Sequence, residues 1–127
     1  MNLVVDAIFC DEIRQEVTGK FLLIGVYPGD LVPPVIPTKF PMAMMLRVHG
    51  LPAGNHEFEF VLKSPNGEPA IGQKDFFYVA DSQSPMVMIF SGFAMTVEGP
   101  GEIIASVKVA GKELVATSLR VTAPKTP

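Results

Sequence analysis

The sequence predicts an all-β domain, an antiparallel two-sheet β-sandwich of about eight strands. Three observations carry this expectation. Twelve prolines and eleven glycines divide the 127 residues into short segments. Those segments are rich in Val, Ile, Phe and Leu, and several alternate apolar with polar residues, the period of a half-buried strand. No stretch sustains the i, i+3, i+4, i+7 spacing of a core helix.

Leu3 to Cys10 reads as the first strand and Lys20 to Tyr27 as the second. The second is apolar on both faces, which predicts a central or covered position. The polar stretch from Asp11 to Gly19 joins them as a long hairpin, although Ile13 and Val17 would also allow one helical turn. Pro28 to Pro37 carries four prolines, so it reads as a loop crossing between sheets or as a blunted edge. A third strand is expected over Met42 to His49, with a turn at Leu51 to Asn55. His56 to Lys63 alternates clearly: Phe58, Phe60 and Leu62 on a buried face, Glu57, Glu59, Val61 and Lys63 on a mostly wet one. Ser64-Pro65-Asn66-Gly67 is a turn signal, and a fifth strand lies within Ala70 to Ala80. Met86 to Val97 is a long apolar strand with Gly92 as its expected bulge. The closing hairpin is Glu102 to Val109 and Glu113 to Val121, turning at Ala110-Gly111-Lys112. All pairings are expected to be antiparallel. Residues 1–122 form one domain in this scheme, and residues 123–127 a loose tail.

Composition excludes several classes of function. Charged residues make up 18% of the chain and the net charge is −3. The ten Lys and Arg are scattered, with no basic face to displace counterions from phosphates, so no nucleic-acid partner is expected. The amino terminus lacks a signal-peptide pattern, and no apolar run approaches the ~20 residues of a membrane helix. A single cysteine rules out an intrachain disulfide. The expected compartment is the cytoplasm, with no membrane partner and no cofactor. The low charge content instead suggests apolar surface that meets a second copy or a protein partner.

Phe9-Cys10-Asp11-Glu12-Ile13-Arg14, followed by Gly19-Lys20 and Ile24-Gly25-Val26-Tyr27, resembles the opening of a family of uncharacterised small bacterial proteins. The resemblance covers most of the chain and implies a bacterial cytoplasmic domain; it transfers no activity and no site. The last hairpin is similar to the closing strands of immunoglobulin-like domains, without their Cys–Trp–Cys hallmark.

No residue set assembles a recognisable catalytic site. Acidic neighbours raise a thiol's pKa, so Cys10 beside Asp11 and Glu12 reads as a small core residue rather than a nucleophile. Asp6, Asp11, Glu12 and Glu16 lack the spacing of a calcium loop and read as a solvated charged segment. His49 and His56 flank a turn and would face each other if it closed a hairpin; two ligands fall short of the four that zinc takes. There is no G-x-S-x-G and no phosphate-binding glycine loop.

Methionine is the unusual feature. Met42, Met44, Met45, Met86, Met88 and Met95 join nine Phe, and Met adapts readily to irregular cores and to forgiving binding surfaces. Met44, Met86, Met88 and Phe90 are accordingly the candidate interface residues, unless the Pro28 to Pro41 loop covers them. The leading expectation is a non-enzymatic interaction or self-associating module, using an apolar sheet face or an edge strand. The alternative is a small-ligand binder with a Phe- and Met-lined pocket between the sheets.

Overall fold

The computed structural model describes residues 2–66 and 69–123, the side chains of 69 and 70 aside. Among these residues the chain forms ten strands and no helix. They are β1 (Val4–Cys10), β2 (Glu12–Gln15), β3 (Phe21–Ile24), β4 (Asp30–Leu31), β5 (Thr38–His49), β6 (Gly54–Lys63), β7 (Pro69–Val79), β8 (Met86–Val97), β9 (Gly101–Val109) and β10 (Lys112–Val121). Three sheets result: β1-β5-β8, β4-β10-β9-β6-β7, and the β2-β3 hairpin. The expected all-β class holds, with more strands than expected and one additional sheet. The Gly67 half of the Ser64–Gly67 turn and the tail from residue 124 lie outside the described residues.

One buried cluster joins the two larger sheets. Met42, Met44, Leu46 and Val48 contribute from β5, Met95 and Val97 from β8, Phe58, Phe60 and Leu62 from β6, and Ile103, Ala105, Val107 and Val109 from β9. The alternation read in β6 is therefore the real one: its Phe58, Phe60 and Leu62 are buried while Glu57 and Lys63 are exposed. Phe60 stacks on Phe90 of β8 with ring centroids 4.4 Å apart, bridging the two sheets through their side chains.

Two β-bulges reset which residues point inward. In β8, Ser91 and Gly92 together oppose Ala43, so Met44 pairs with Phe90 but Met42 with Phe93. Inward positions change from even (Met86, Met88, Phe90) to odd (Phe93, Met95, Val97) across that extra residue. The bulge falls where Gly92 predicts it. In β10 the extra residue is Ala116, between Val115 and Thr117. Leu114 and the extra Ala116 itself pack on the core, as do Leu119 and Val121 beyond it, while Val115 is 65% exposed. Strict alternation from Glu113 to Val121 would put Val115 on the face of Thr117, Leu119 and Val121. Thr117, opposite buried Ala105, does share that face, but Val115 does not, because alternation cannot register one added residue.

Three further expectations are corrected. Pairing is not wholly antiparallel: β4 lies parallel to β10, with Asp30 opposite Arg120 and Leu31 opposite Val121. The Pro28 to Pro37 segment therefore carries a short edge strand. The apolar run from Lys20 to Tyr27 is neither central nor covered. Only Phe21–Ile24 is strand, it pairs with β2 alone, and Phe21, Leu22, Ile24 and Val26 are exposed. Its hairpin partner is Glu12–Gln15 from the connecting stretch, with Glu12 opposite Ile24 and Gln15 opposite Phe21, and not the expected first strand, which pairs with β5. Lastly, His49 and His56 do not face each other across a hairpin. The turn after His49 carries the chain from one large sheet to the other, so His49 sits opposite Val4 and His56 opposite Phe77.

The candidate interface residues form an inward ladder. Met44 lies opposite Phe90, Leu46 opposite Met88, and Val48 opposite Met86. Met44 is fully buried and so cannot touch a partner in the folded chain. Met86, Met88 and Phe90 are partly buried and pack on the core, because β8 is the edge of its sheet.

Candidate functional site at the stem of the β2-β3 hairpin

The two sequence segments that resemble a family's opening meet in space. The Asp11 N–H donates to the carbonyls of Ile24 (3.0 Å) and Gly25 (3.1 Å), and the Tyr27 N–H donates to the Phe9 carbonyl (3.0 Å). These bonds close the stem of the β2-β3 hairpin where it leaves β1. Beyond Tyr27, Pro28 and Gly29 turn the chain onto β10, where Arg120 donates to the Gly29 carbonyl and Thr122 to that of Leu31. The chain then returns through Pro33 and Pro34 to the start of β5.

A pocket of about 400 Å³ lies between this stem and the returning segment. Asp11 and Tyr27 line it from the stem, and Leu31, Pro33, Pro34 and Phe40 are among the residues that line it from the other side. Its volume falls within the usual range for small-ligand sites. The Tyr27 hydroxyl donates to Asp11 Oδ1 at 2.8 Å. Gly25, at φ +70°, leaves the room that the carboxylate occupies: a Cβ there would overlap Asp11 Oδ2. A residue other than glycine would thus combine a disfavoured left-handed backbone with a clash. Among the described residues Asp11 is the one charged residue lining the pocket.

Burial pushes the Tyr27 phenol up to about 12, with the hydrogen bond to Asp11 and the Asp11 charge adding to the effect. The folded chain therefore favours the neutral phenol. Because its folded pKa lies above the unfolded value of about 10, Tyr27's contribution is fully present below pH ~10. That contribution is lost as pH rises toward 12. Spectrophotometric titration of the phenolate absorption should show one of the two tyrosines ionising late. Tyr27→Phe should abolish that late step and flatten the loss of stability between pH 10 and 12. A wild-type curve with a single midpoint at pH ~10 and no later step would contradict this.

The other predicted chemical groups are dispersed. Asp6 receives two hydrogen bonds from Arg47, at 3.0 and 3.2 Å, across the β1-β5 pair. Glu12 pairs with Arg14, and His56 Nε2 lies 2.7 Å from the Pro52 carbonyl. Among the described residues no three His, Cys, Asp or Glu side chains are placed to hold a metal ion.

Cys10 is fully buried, but outside the main cluster. Phe9 points into the core, so by alternation Cys10 points to the outer face of its sheet, where Ala43 opposite it is buried as well. The cover comes from β2, which contacts β5 and β8. The Cys10 S–H donates to the Glu12 carbonyl at 3.5 Å. Burial raises the thiol's pKa and the neighbouring Asp11 raises it further. The native protein should therefore react with a thiol reagent such as DTNB orders of magnitude more slowly than the denatured chain. Equal rates would mean that β2 does not stay seated on the sheet.

The methionine- and phenylalanine-lined pocket expected between the sheets is not what the fold builds there. Met42, Met44, Met95 and Phe60 are fully buried and fill that space. The pocket at the hairpin stem lies at the surface and is walled by proline and aromatic rings instead. Sequence reasoning missed it because Asp11 and Tyr27 stand sixteen residues apart. The available signal was Gly25, a single glycine interrupting the apolar run from Phe21 to Tyr27.

A search of curated proteins returns no match for the chain. A family model described as a family of unknown function, DUF6941, matches residues 5–122.

Proposed function

The chain belongs to that family of unknown function, and from this premise we propose that it is a non-enzymatic, self-associating module built on an immunoglobulin-like sandwich. One observation carries the self-association. The β3 strand Phe21-Leu22-Leu23-Ile24 is uncharged, exposed at Phe21, Leu22 and Ile24, and paired on one edge only. Two-stranded hairpins are marginal in water, and an apolar strand with an open edge is a template for a further strand. The occupant that fits is a second copy. Antiparallel pairing of β3 with itself joins two hairpins into one four-stranded sheet and brings together uncharged side chains that a chain of low charge otherwise leaves wet.

The sandwich reading is supported by the two strand orders. β1-β5-β8 matches the A-B-E side of such a domain and β10-β9-β6 the G-F-C side, with β7 added beyond β6. β4, parallel to β10, reads as the second half of a first strand split between the sheets. A bacterial cytoplasmic setting follows from the resemblance noted above and from a lone cysteine that is buried and unpaired. The non-enzymatic character rests on the dispersal of the acids and histidines described above.

Light scattering during size exclusion tests the proposal. The expected mass is twice that of the monomer at micromolar concentration. A monomer up to about 100 μM would leave β3 without the proposed occupant.

A further inference from the structure

The pocket at the hairpin stem has a charge pattern that selects among ligands. Its walls are apolar: Leu31, Pro33, Pro34 and Phe40, with the ring of Tyr27. Among the described residues its polar side chains are the Asp11 carboxylate and the hydroxyls of Tyr27 and Thr38, and none of the lining residues is cationic. The Asp11 carboxylate is built in rather than free to swing. Tyr27 donates to one oxygen and the other lies against the bare Cα of Gly25. An ionised carboxylate accepts about four hydrogen bonds, so acceptor capacity remains after the one from Tyr27. A negative group fixed beside two aromatic rings and an apolar wall complements a cation carried on an apolar stem. An anion would be repelled by Asp11, and a neutral chain would leave its charge unused.

We infer that this pocket binds an organic cation, an ammonium group on an alkyl stem, with Asp11 as its counter-ion and Phe40 and Tyr27 flanking the stem. Such a group comes from a free alkylamine or from a lysine side chain, and both present the same chemistry to Asp11. The site does not depend on pairing at β3, so a monomeric protein would be as good a test object as a dimer.

The test is a titration of the full-length protein, labelled with ¹⁵N and followed by the amide signals of Gly25, Tyr27 and Phe40. Hexylamine, hexanol and hexanoate serve as cationic, neutral and anionic probes of one length. The acetylated and amidated tripeptide Ala-Lys-Ala presents the lysine source. Hexylamine should shift those amides with a dissociation constant of about 1 mM, as expected for a ligand of few heavy atoms. Hexanol and hexanoate should bind at least about tenfold more weakly. Binding of the tripeptide alongside hexylamine would identify a peptide side chain as a fitting source; binding of hexylamine alone would identify a free amine. Asp11→Asn should weaken hexylamine by about tenfold and leave hexanol unchanged. Thr38→Lys, which places the protein's own ammonium at the pocket wall, should do the same should Asp11→Asn not fold. Equal binding of hexylamine and hexanoate, or unchanged hexylamine binding in a folded Asp11→Asn or Thr38→Lys protein, would overturn the inference. So would the absence of any shift up to about 10 mM hexylamine.

Discussion

Phe60→Ala should cost about 3–5 kcal/mol of folding stability, the largest loss expected from any single truncation in this chain. Phe60 is the largest fully buried side chain, at 0% exposure in the middle of β6. The substitution removes the apolar surface of a ring and leaves a cavity that three kinds of neighbour resist closing. β6 is held on both edges, by β7 and β9, so its backbone cannot shift inward without breaking two ladders. Met44, opposite Phe90 in the facing sheet, is itself fully buried and already occupies its space. Phe90 loses its stacking partner, which adds to the transfer cost. For a domain of this size the melting temperature should fall by roughly 10–20 °C. Urea unfolding at one fixed protein concentration measures the loss, with the slope unchanged if both proteins unfold in two states. Val115→Thr is the matched control: Val115 is 65% exposed on an outer face, and the change should stay within about 0.5 kcal/mol. A Phe60→Ala protein within 1 kcal/mol of wild type would mean that the two sheets do not share the core described above.

The placement of Phe60 was legible in the sequence, and the reason is local. From His56 to Lys63 the alternation runs without an inserted residue, so period two alone assigns Phe58, Phe60 and Leu62 to one face. The same rule fails in β10, where Ala116 is an extra residue with nothing in its chemistry to announce it. In β8 it succeeds only because the bulge contains a glycine. The parallel strand β4 is two residues long and pairs with a strand some ninety positions away, so no local pattern contains it. Met44 and Phe90 illustrate a different limit. Composition marks them as unusual but cannot say whether an apolar face meets the rest of the chain or a partner, and here it meets the chain. The stem pocket was hidden for the same non-local reason. Asp11, Gly25, Tyr27 and Phe40 acquire a common meaning only once the hairpin has closed.

Leu23→Pro should convert a dimeric protein to a monomer while leaving the fold of the two large sheets intact. The hairpin ladder fixes which amides of β3 are free. Glu16 donates to the Lys20 carbonyl at the turn, so bonded pairs alternate from there to Arg14–Leu22 and Glu12–Ile24. The amides of Phe21 and Leu23 then point to the open edge. A proline at position 23 deletes the central outward donor without touching the hairpin's own bonds, and proline is tolerated on an edge strand for that reason. The strand that would add to β3 loses a main-chain bond at the two-fold axis and meets a pyrrolidine ring instead. Leu22→Lys is the side-chain counterpart. Leu22 is 48% exposed, and a lysine there brings two like charges together across the pair, as natural edge strands do to prevent pairing. Both variants should elute at the monomer mass at concentrations where the wild type is dimeric, and the wild type's melting temperature alone should rise with protein concentration. The buried cluster contains no residue of β3, so the melting temperature of each variant at high dilution should match that of the wild type within a few degrees. A dimer that survives Leu23→Pro and Leu22→Lys together would place the interface elsewhere. The next surface to test would be the outer face of β7, where Phe76 and Tyr78 are each 69% exposed on the edge of the five-stranded sheet.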